Sequence, residues 1–309
     1  MENQDFYPQK PEIEEKKTKK DSKKTILSIL LFVAAFILIG ENDYSFIFFL
    51  VIVLFIHEVG HFSFMKAFGY TNVKMLFVPL MGAFVTGEKE EYKQKQSLLV
   101  ILAGPIPGVI IGMILLFYGV KWKVEWMSDI SFIFLFLNIM NLLPLDPLDG
   151  GQLLKLLGNK SQELFQLVFS FISSLVMIGI GWYFEMWIIV IFGFLMGLRV
   201  RSIQKNRQIH KELKEKGVNY TQSYASLSNR DFSIIKQVVI EHTPALRSYI
   251  ENVDDESVDP IVVRQVEGVL VVPIVRNANL FFKLLTVIIW LSGLVLPFVL
   301  FFYLKIIAV

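Results

Sequence analysis

Long apolar runs alternate along this chain with short charged connectors. The runs cover about 25–40, 45–66, 97–119, 130–143, 163–181, 186–200 and 280–303. A hydrocarbon core about 30 Å thick takes about 20 apolar residues as helix. The pattern therefore predicts an all-α polytopic membrane protein with about six to eight transmembrane helices. One further apolar stretch, 75–86, holds Pro79 and Gly82 and is too short to span. It is entered and left from the charged side, which predicts a re-entrant hairpin beside a protein-lined or wet cavity.

The polar stretches divide the rest. Residues 1–24 are rich in Lys, Glu, Gln and Pro and read as a disordered basic cytoplasmic tail. Residues 25–200 form the membrane core, 201–279 a small cytoplasmic α/β segment, and 280–309 a C-terminal transmembrane helix. Within 201–279, Phe232, Ile235, Val238 and Val239 share one face of a helix over Asp231–His242. The Val-rich run Ile261–Val275, with a turn at Glu267-Gly268, predicts strands. His210 and His242 read as solvated residues rather than ligands.

Charge fixes orientation. Lys16, Lys17, Lys19, Lys20, Lys23 and Lys24 abut the first apolar run and place the N-terminus in the cytoplasm. Arg199, Arg201, Lys205, Arg207, Lys211, Lys214 and Lys216 follow the sixth run, on the same side by count. The Lys run is a topology signal that touches the lipid bilayer, and no nucleic-acid partner is implied. The net charge of +2 adds little. The absence of cysteine excludes disulfides, iron–sulfur clusters and thiolate zinc sites, so a metal must take His, carboxylate or carbonyl ligands.

Three titratable groups in the second run carry the candidate chemistry. In His57-Glu58-Val59-Gly60-His61 the two imidazoles stand at i and i+4, on one face of a helix. That spacing suits two ligands of one zinc ion, with Glu58 placed to take a proton from the attacking water. Ionisable groups in a spanning segment are costly and mark function. His57 lies about 12 residues into its run, about 18 Å from the outer surface. The fourth run carries Asn138 and Asn141 and is broken by Leu143-Pro144-Leu145-Asp146-Pro147-Leu148-Asp149-Gly150-Gly151. It reaches that break after about 20 Å of helix. Asp149 therefore comes to a depth similar to that of the histidines, as third ligand. Asp146 is the alternative ligand or a group supporting the site. Three ligands with an open fourth position define a catalytic zinc site. Asn141 is a candidate amide donor to the oxyanion, or a helix-packing hydrogen bond.

The paired motifs, HEVGH in one membrane helix and Asn141-Leu142-Leu143-Pro144 with Leu148-Asp149-Gly150-Gly151 in another, resemble the site-2 protease family of intramembrane zinc metalloproteases. The resemblance runs from about Thr25 to Gly151. It implies that His57, His61 and Asp149 hold Zn2+ and that Glu58 is the catalytic base. It also implies hydrolysis of a peptide bond in or near a transmembrane segment of a membrane protein substrate, towards the cytoplasmic side. The Gly104-Pro105 segment and the hairpin around Gly82 match more weakly. Gly108 stands where many members have Asn, and neither a PDZ domain nor a CBS pair is evident. The alternative reading is a catalytically inactive zinc-binding membrane scaffold. A metal transporter fits less well, since the polar groups cluster at one depth. A protease of the prenyl-protein-processing kind shares only the HExxH.

Overall fold

A computed structural model describes residues 7–11, 22–38, 43–78, 82–158, 163–252 and 259–307. The chain divides into two compact units. The larger comprises 18–89, 93–196 and 275–309, and the smaller comprises 1–17, 90–92 and 197–274.

The larger unit is helical, with one two-stranded sheet. In chain order it holds α1 (Ser22–Leu38), α2 (Tyr44–Ala67), β1 (Thr71–Val78), β2 (Gly82–Glu88), α3 (Gln94–Ala103), α4 (Pro105–Trp122), α5 (Glu125–Leu142), α6 (Asp149–Leu157), α7 (Glu163–Tyr183) and the first part of α8 (Trp187–Glu215). Four helical stretches among the described residues are long and apolar enough to cross a membrane. These are Tyr44–Ala67, Gln94–Trp122, Leu164–Tyr183 and Leu280–Ile307, with a shorter apolar helix at Lys24–Leu38. The protein is an integral membrane protein. The expected third span is not one smooth helix. Pro105 has no N–H to donate, so the ladder breaks at Gly104 and α4 starts afresh with proline in its first turn.

The stretch expected as a hairpin is a β-hairpin. β1 and β2 pair antiparallel, with Lys74 opposite Thr86 and Val78 opposite Gly82. Met75 and Phe77, two apart on one face, are buried with Phe32 of α1 and Leu54 of α2. Two hydroxyls of α1 serve backbone groups of β1. Thr25 Oγ1 donates to Met75 O (2.8 Å), and Phe77 N donates to Ser28 Oγ (3.1 Å). The covered edge of the sheet is thus β1.

The last helix of the larger unit, α12 (Leu280–Ile307), packs its Trp290 with Leu98, Leu102, Val109, Leu142 and Leu153. Trp290 Nε1 donates to Leu142 O (2.8 Å). This carbonyl ends α5 and has no partner further along that helix. Trp290→Phe strands it in a dry environment and is expected to cost about 1–3 kcal/mol. Titration of the folded protein with a denaturing detergent checks this, and an unchanged midpoint would contradict it.

The smaller unit is built from the rest of α8 with α9 (Asn229–Glu241), α10 (Pro244–Asn252) and α11 (Asp259–Glu267). Phe232, Ile235, Val238 and Val239 form the core face of α9, together with Val262 and Val266 of α11. Here the strands expected over Ile261–Val275 give way to helix α11 up to Glu267, and a two-residue strand stands at Ile274–Val275. The valines recur at 262, 263, 266 and 269, a helical spacing that buries them against α9 despite their strand preference. His210 is buried rather than solvated; it stacks on Tyr220 (4.3 Å between ring centroids) and bonds Val269 O (2.8 Å). His242 bonds Glu212 (2.8 Å), and Lys216 and His242 hold the Glu212 carboxyl below its usual range.

The expected disordered tail, 1–24, falls largely outside the described residues, with two exceptions. Ser22–Lys24 open α1. Lys10 is fixed in the smaller unit: its ammonium donates to Tyr224 O (2.8 Å), Ala225 O (2.9 Å) and Leu227 O (2.7 Å). These contacts of Lys10 are not evident from the composition of the tail. Glu41 and Asn42, between the first two apolar runs, lie outside the described residues, and Asp43 caps α2 by accepting from Phe46 N.

Candidate metal centre

The centre is made by three segments of the larger unit. α2 supplies His57, Glu58 and His61, all buried. α6 supplies Asp149 from its first turn, where a carboxylate faces the positive end of the helix dipole. The break between α3 and α4 passes alongside.

The protons of the two imidazoles are turned away from the centre. His61 Nδ1 lies 2.8 Å from Val100 O, which can only accept, so Nδ1 carries the proton and Nε2 is left a bare lone pair. His57 Nδ1 lies 2.8 Å from Asn138 Oδ1. The Asn138 amide nitrogen is already committed to Phe134 O (2.7 Å), so Oδ1 again accepts and His57 Nε2 is bare. Holding the far ring nitrogen in this way fixes tautomer and ring plane in metal-binding histidines.

The remaining atoms converge. His57 Nε2 and His61 Nε2 are 3.1 Å apart, and each lies 3.3 Å from Asp149 Oδ2. Tetrahedral zinc with bonds of about 2.0–2.1 Å sets neighbouring ligand atoms about 3.3 Å apart. With both rings neutral, two lone pairs and a carboxylate oxygen at this separation repel unless a cation sits among them. Asp149 Oδ2 and Glu58 Oε2 are buried and take no hydrogen bond among the described residues. The donor set therefore fits a divalent metal.

Close approach of backbone makes room for this. A Cβ on Gly104 would overlap His61 Nε2 and lie 2.6 Å from Cε1. A Cβ on Gly108 would overlap the Asn138 carboxamide. Gly108 is thus the space that Asn138 fills, which gives this departure from the family pattern a physical reason. Gly104→Ala is expected to displace His61, at about 1–3 kcal/mol for overpacking, and to weaken metal binding about tenfold or more. Competition with a chromophoric chelator checks this; unchanged affinity would contradict it.

Two residues of the sequence reading go elsewhere. Asn141 Nδ2 donates to Leu137 O of its own helix (3.1 Å), and it is Asn138 that touches a histidine. Asp146 is buried, with its carboxylate bonded to Lys155 and Ser170 rather than to a histidine. The backbone acceptor Val100 O left no trace in the residue pattern. Asn138 did, as a polar residue on an apolar helix, one turn before the motif.

A buried His–His–Asp donor set inside a bundle of apolar helices is a candidate metal site in an integral membrane protein. Residues 45–131 match the model of peptidase family M50. Zinc metalloprotease MJ0392 of Methanocaldococcus jannaschii is 28% identical over 110 residues, 34% of this chain and 32% of that protein. Stage IV sporulation protein FB of Bacillus subtilis is 31% identical over 119 residues, 36% of this chain and 39% of that protein. The chain thus matches under two fifths of the length of these relatives. Among solved structures, the site-2 protease from Methanocaldococcus jannaschii aligns with a TM-score of 0.44 at 20% identity, over 58% of this chain and 87% of that one.

Proposed function

We propose that this protein is an intramembrane zinc metalloprotease that hydrolyses a peptide bond in or near a transmembrane segment of another membrane protein, towards the cytoplasmic side. The observation that carries the reading is the convergence of His57 Nε2, His61 Nε2 and Asp149 Oδ2, with both Nδ1 atoms bonded to acceptors on the far side of the rings. These three residues would hold Zn2+, with Glu58 beside them as the base. Bound there, zinc supplies Lewis acidity that polarises a substrate carbonyl and acidifies water.

The chain's own groups do the rest. Glu58 accepts the proton of the attacking water on Oε2, the oxygen without a partner, and delivers it to the leaving amine. Asn138 keeps His57 in its ligating tautomer. Asn141 has its amide committed to Leu137 O, so donation to an oxyanion requires that bond to open. A substrate helix hides its peptide bonds and must unwind to be cut. β2 would receive the extended segment as an added strand, since α1 side chains cover β1. In this reading the hairpin is re-entrant, the chain crosses the bilayer about seven times, and the lysine run holds the N-terminus in the cytoplasm.

The test compares membranes of cells making wild-type or Glu58→Gln protein for truncated forms of single-span proteins. Fragments ending within a span and present only with wild type support the reading. Identical fragment patterns would count against it.

A further inference from the structure

Asp146 is 1% exposed and carries a full set of partners that the proposed chemistry does not use. Its Oδ1 meets Lys155 Nζ at 2.5 Å, and its Oδ2 accepts from the Ser170 hydroxyl. Its own N–H donates to Ser173 Oγ (3.1 Å). Ser170 and Ser173 are fully buried on α7, and Lys155 lies on α6, the helix that begins with Asp149. Both carboxylate oxygens are occupied, so Asp146 is not free to ligate at the centre.

We propose that Asp146 is a positioning residue that acts through Asp149 and, with Lys155 and Ser170, sets the pose of the third metal ligand. The inference rests on the metal reading above. Between α5 and α6 the chain turns through Leu143–Leu148, with two prolines that cannot donate backbone hydrogen bonds. Its internal bonds are few: Leu145 N to Leu143 O (2.8 Å) and Leu148 N to Leu145 O (2.9 Å). Asp146 bolts this turn at its middle. One arm reaches forward to the helix carrying Asp149, two residues before that helix ends. The other arms reach across to α7. Glycines 150 and 151 let α6 abut the carbonyls of Leu142 and Leu145, so a shift of the turn passes directly into Asp149. The ion pair ties the C-terminal turn of α6 to the turn that precedes it, which fixes the helix end to end. α7 thus reaches the metal ligand through a buried carboxylate, without touching the metal.

The experiment uses the full-length protein in detergent, as wild type, Asp146→Ala, Asp146→Asn and Asp146→Asn/Lys155→Met. Zinc affinity is measured by chelator competition, ligand type by the cobalt(II) spectrum, and mobility of peptide 145–152 by amide exchange. Asp146→Ala is expected to weaken zinc binding about 10- to 100-fold, the range for groups that orient ligands. At saturating metal the cobalt spectrum keeps its wild-type form, and exchange in 145–152 rises. The double variant lacks the same tie, while Asn keeps a bond to Ser170. It binds zinc no more weakly than Asp146→Asn, because the two residues act through one pair, whereas a generally weakened fold would add the two losses. If the alanine variant does not fold, Asp146→Asn and its double carry the comparison.

Unchanged affinity and exchange in folded Asp146 variants, with only a lower melting temperature, would overturn the proposal. So would a saturated cobalt spectrum that loses an oxygen ligand, since Asp146 would then itself be bound to the metal. Wild-type protein that binds no metal would sink the metal reading instead, and amide exchange would still decide whether Asp146 holds the turn.

Discussion

Glu58→Gln leaves the metal in place and lowers peptide hydrolysis by about 100- to 10,000-fold, the usual contribution of a positioned base. Glutamine has nearly the same volume and keeps an oxygen at the buried position. It cannot take a proton, however, and it puts an amide where Oε2 now lacks a partner. Because His57, His61 and Asp149 make the centre without Glu58, the metal stays. Separating the two properties distinguishes a base from a ligand. Loss of metal in Glu58→Gln would make Glu58 part of the donor set. Undiminished hydrolysis by purified Glu58→Gln protein would remove it from the chemistry.

The second large effect concerns the donors. His57→Ala, His61→Ala and Asp149→Ala are each expected to lower metal affinity by about two orders of magnitude or more. Four-ligand zinc sites bind with apparent free energies of about 10–16 kcal/mol, so one ligand accounts for about 3 kcal/mol. At 1.4 kcal/mol per factor of ten, that is about a hundredfold. Isothermal titration with zinc reads this loss directly. Wild-type affinity in Asp149→Ala would contradict the assignment.

The legible parts of this molecule were those set by periodicity and by cost. A long apolar run has few ways to satisfy its backbone in lipid, so the helices over 45–66, 163–181 and 280–303 followed from hydropathy alone. The face shared by Phe232, Ile235, Val238 and Val239 is the core face of α9. Ionisable groups in membrane helices are expensive, and that is why His57, His61 and Asp149 could be singled out. The structure brings the three within 4.8 Å of one another.

What stayed hidden has physical reasons. Valines 262, 263 and 266 carry a strand preference that packing against α9 overrides. The hold of Val100 O on His61 is a backbone contact and has no residue signature. Asn138 and Asn141 share a face, and sequence offers no means to say which of the two meets His57. Helix α6 starts directly after a proline-rich break and is only nine residues long, so the glycines masked its apolar face. Lys10 sits in a tail of disordered composition, yet three carbonyls of the smaller unit hold it.

The central claim is a three-ligand metal centre between membrane helices. It is tested most directly by the metal content of purified wild-type, Glu58→Gln and Asp149→Ala proteins in one detergent. The account predicts one zinc per chain in wild type and Glu58→Gln, and loss of it in Asp149→Ala. Zinc retained at full stoichiometry and affinity in Asp149→Ala, or no metal in well-folded wild type, would contradict it.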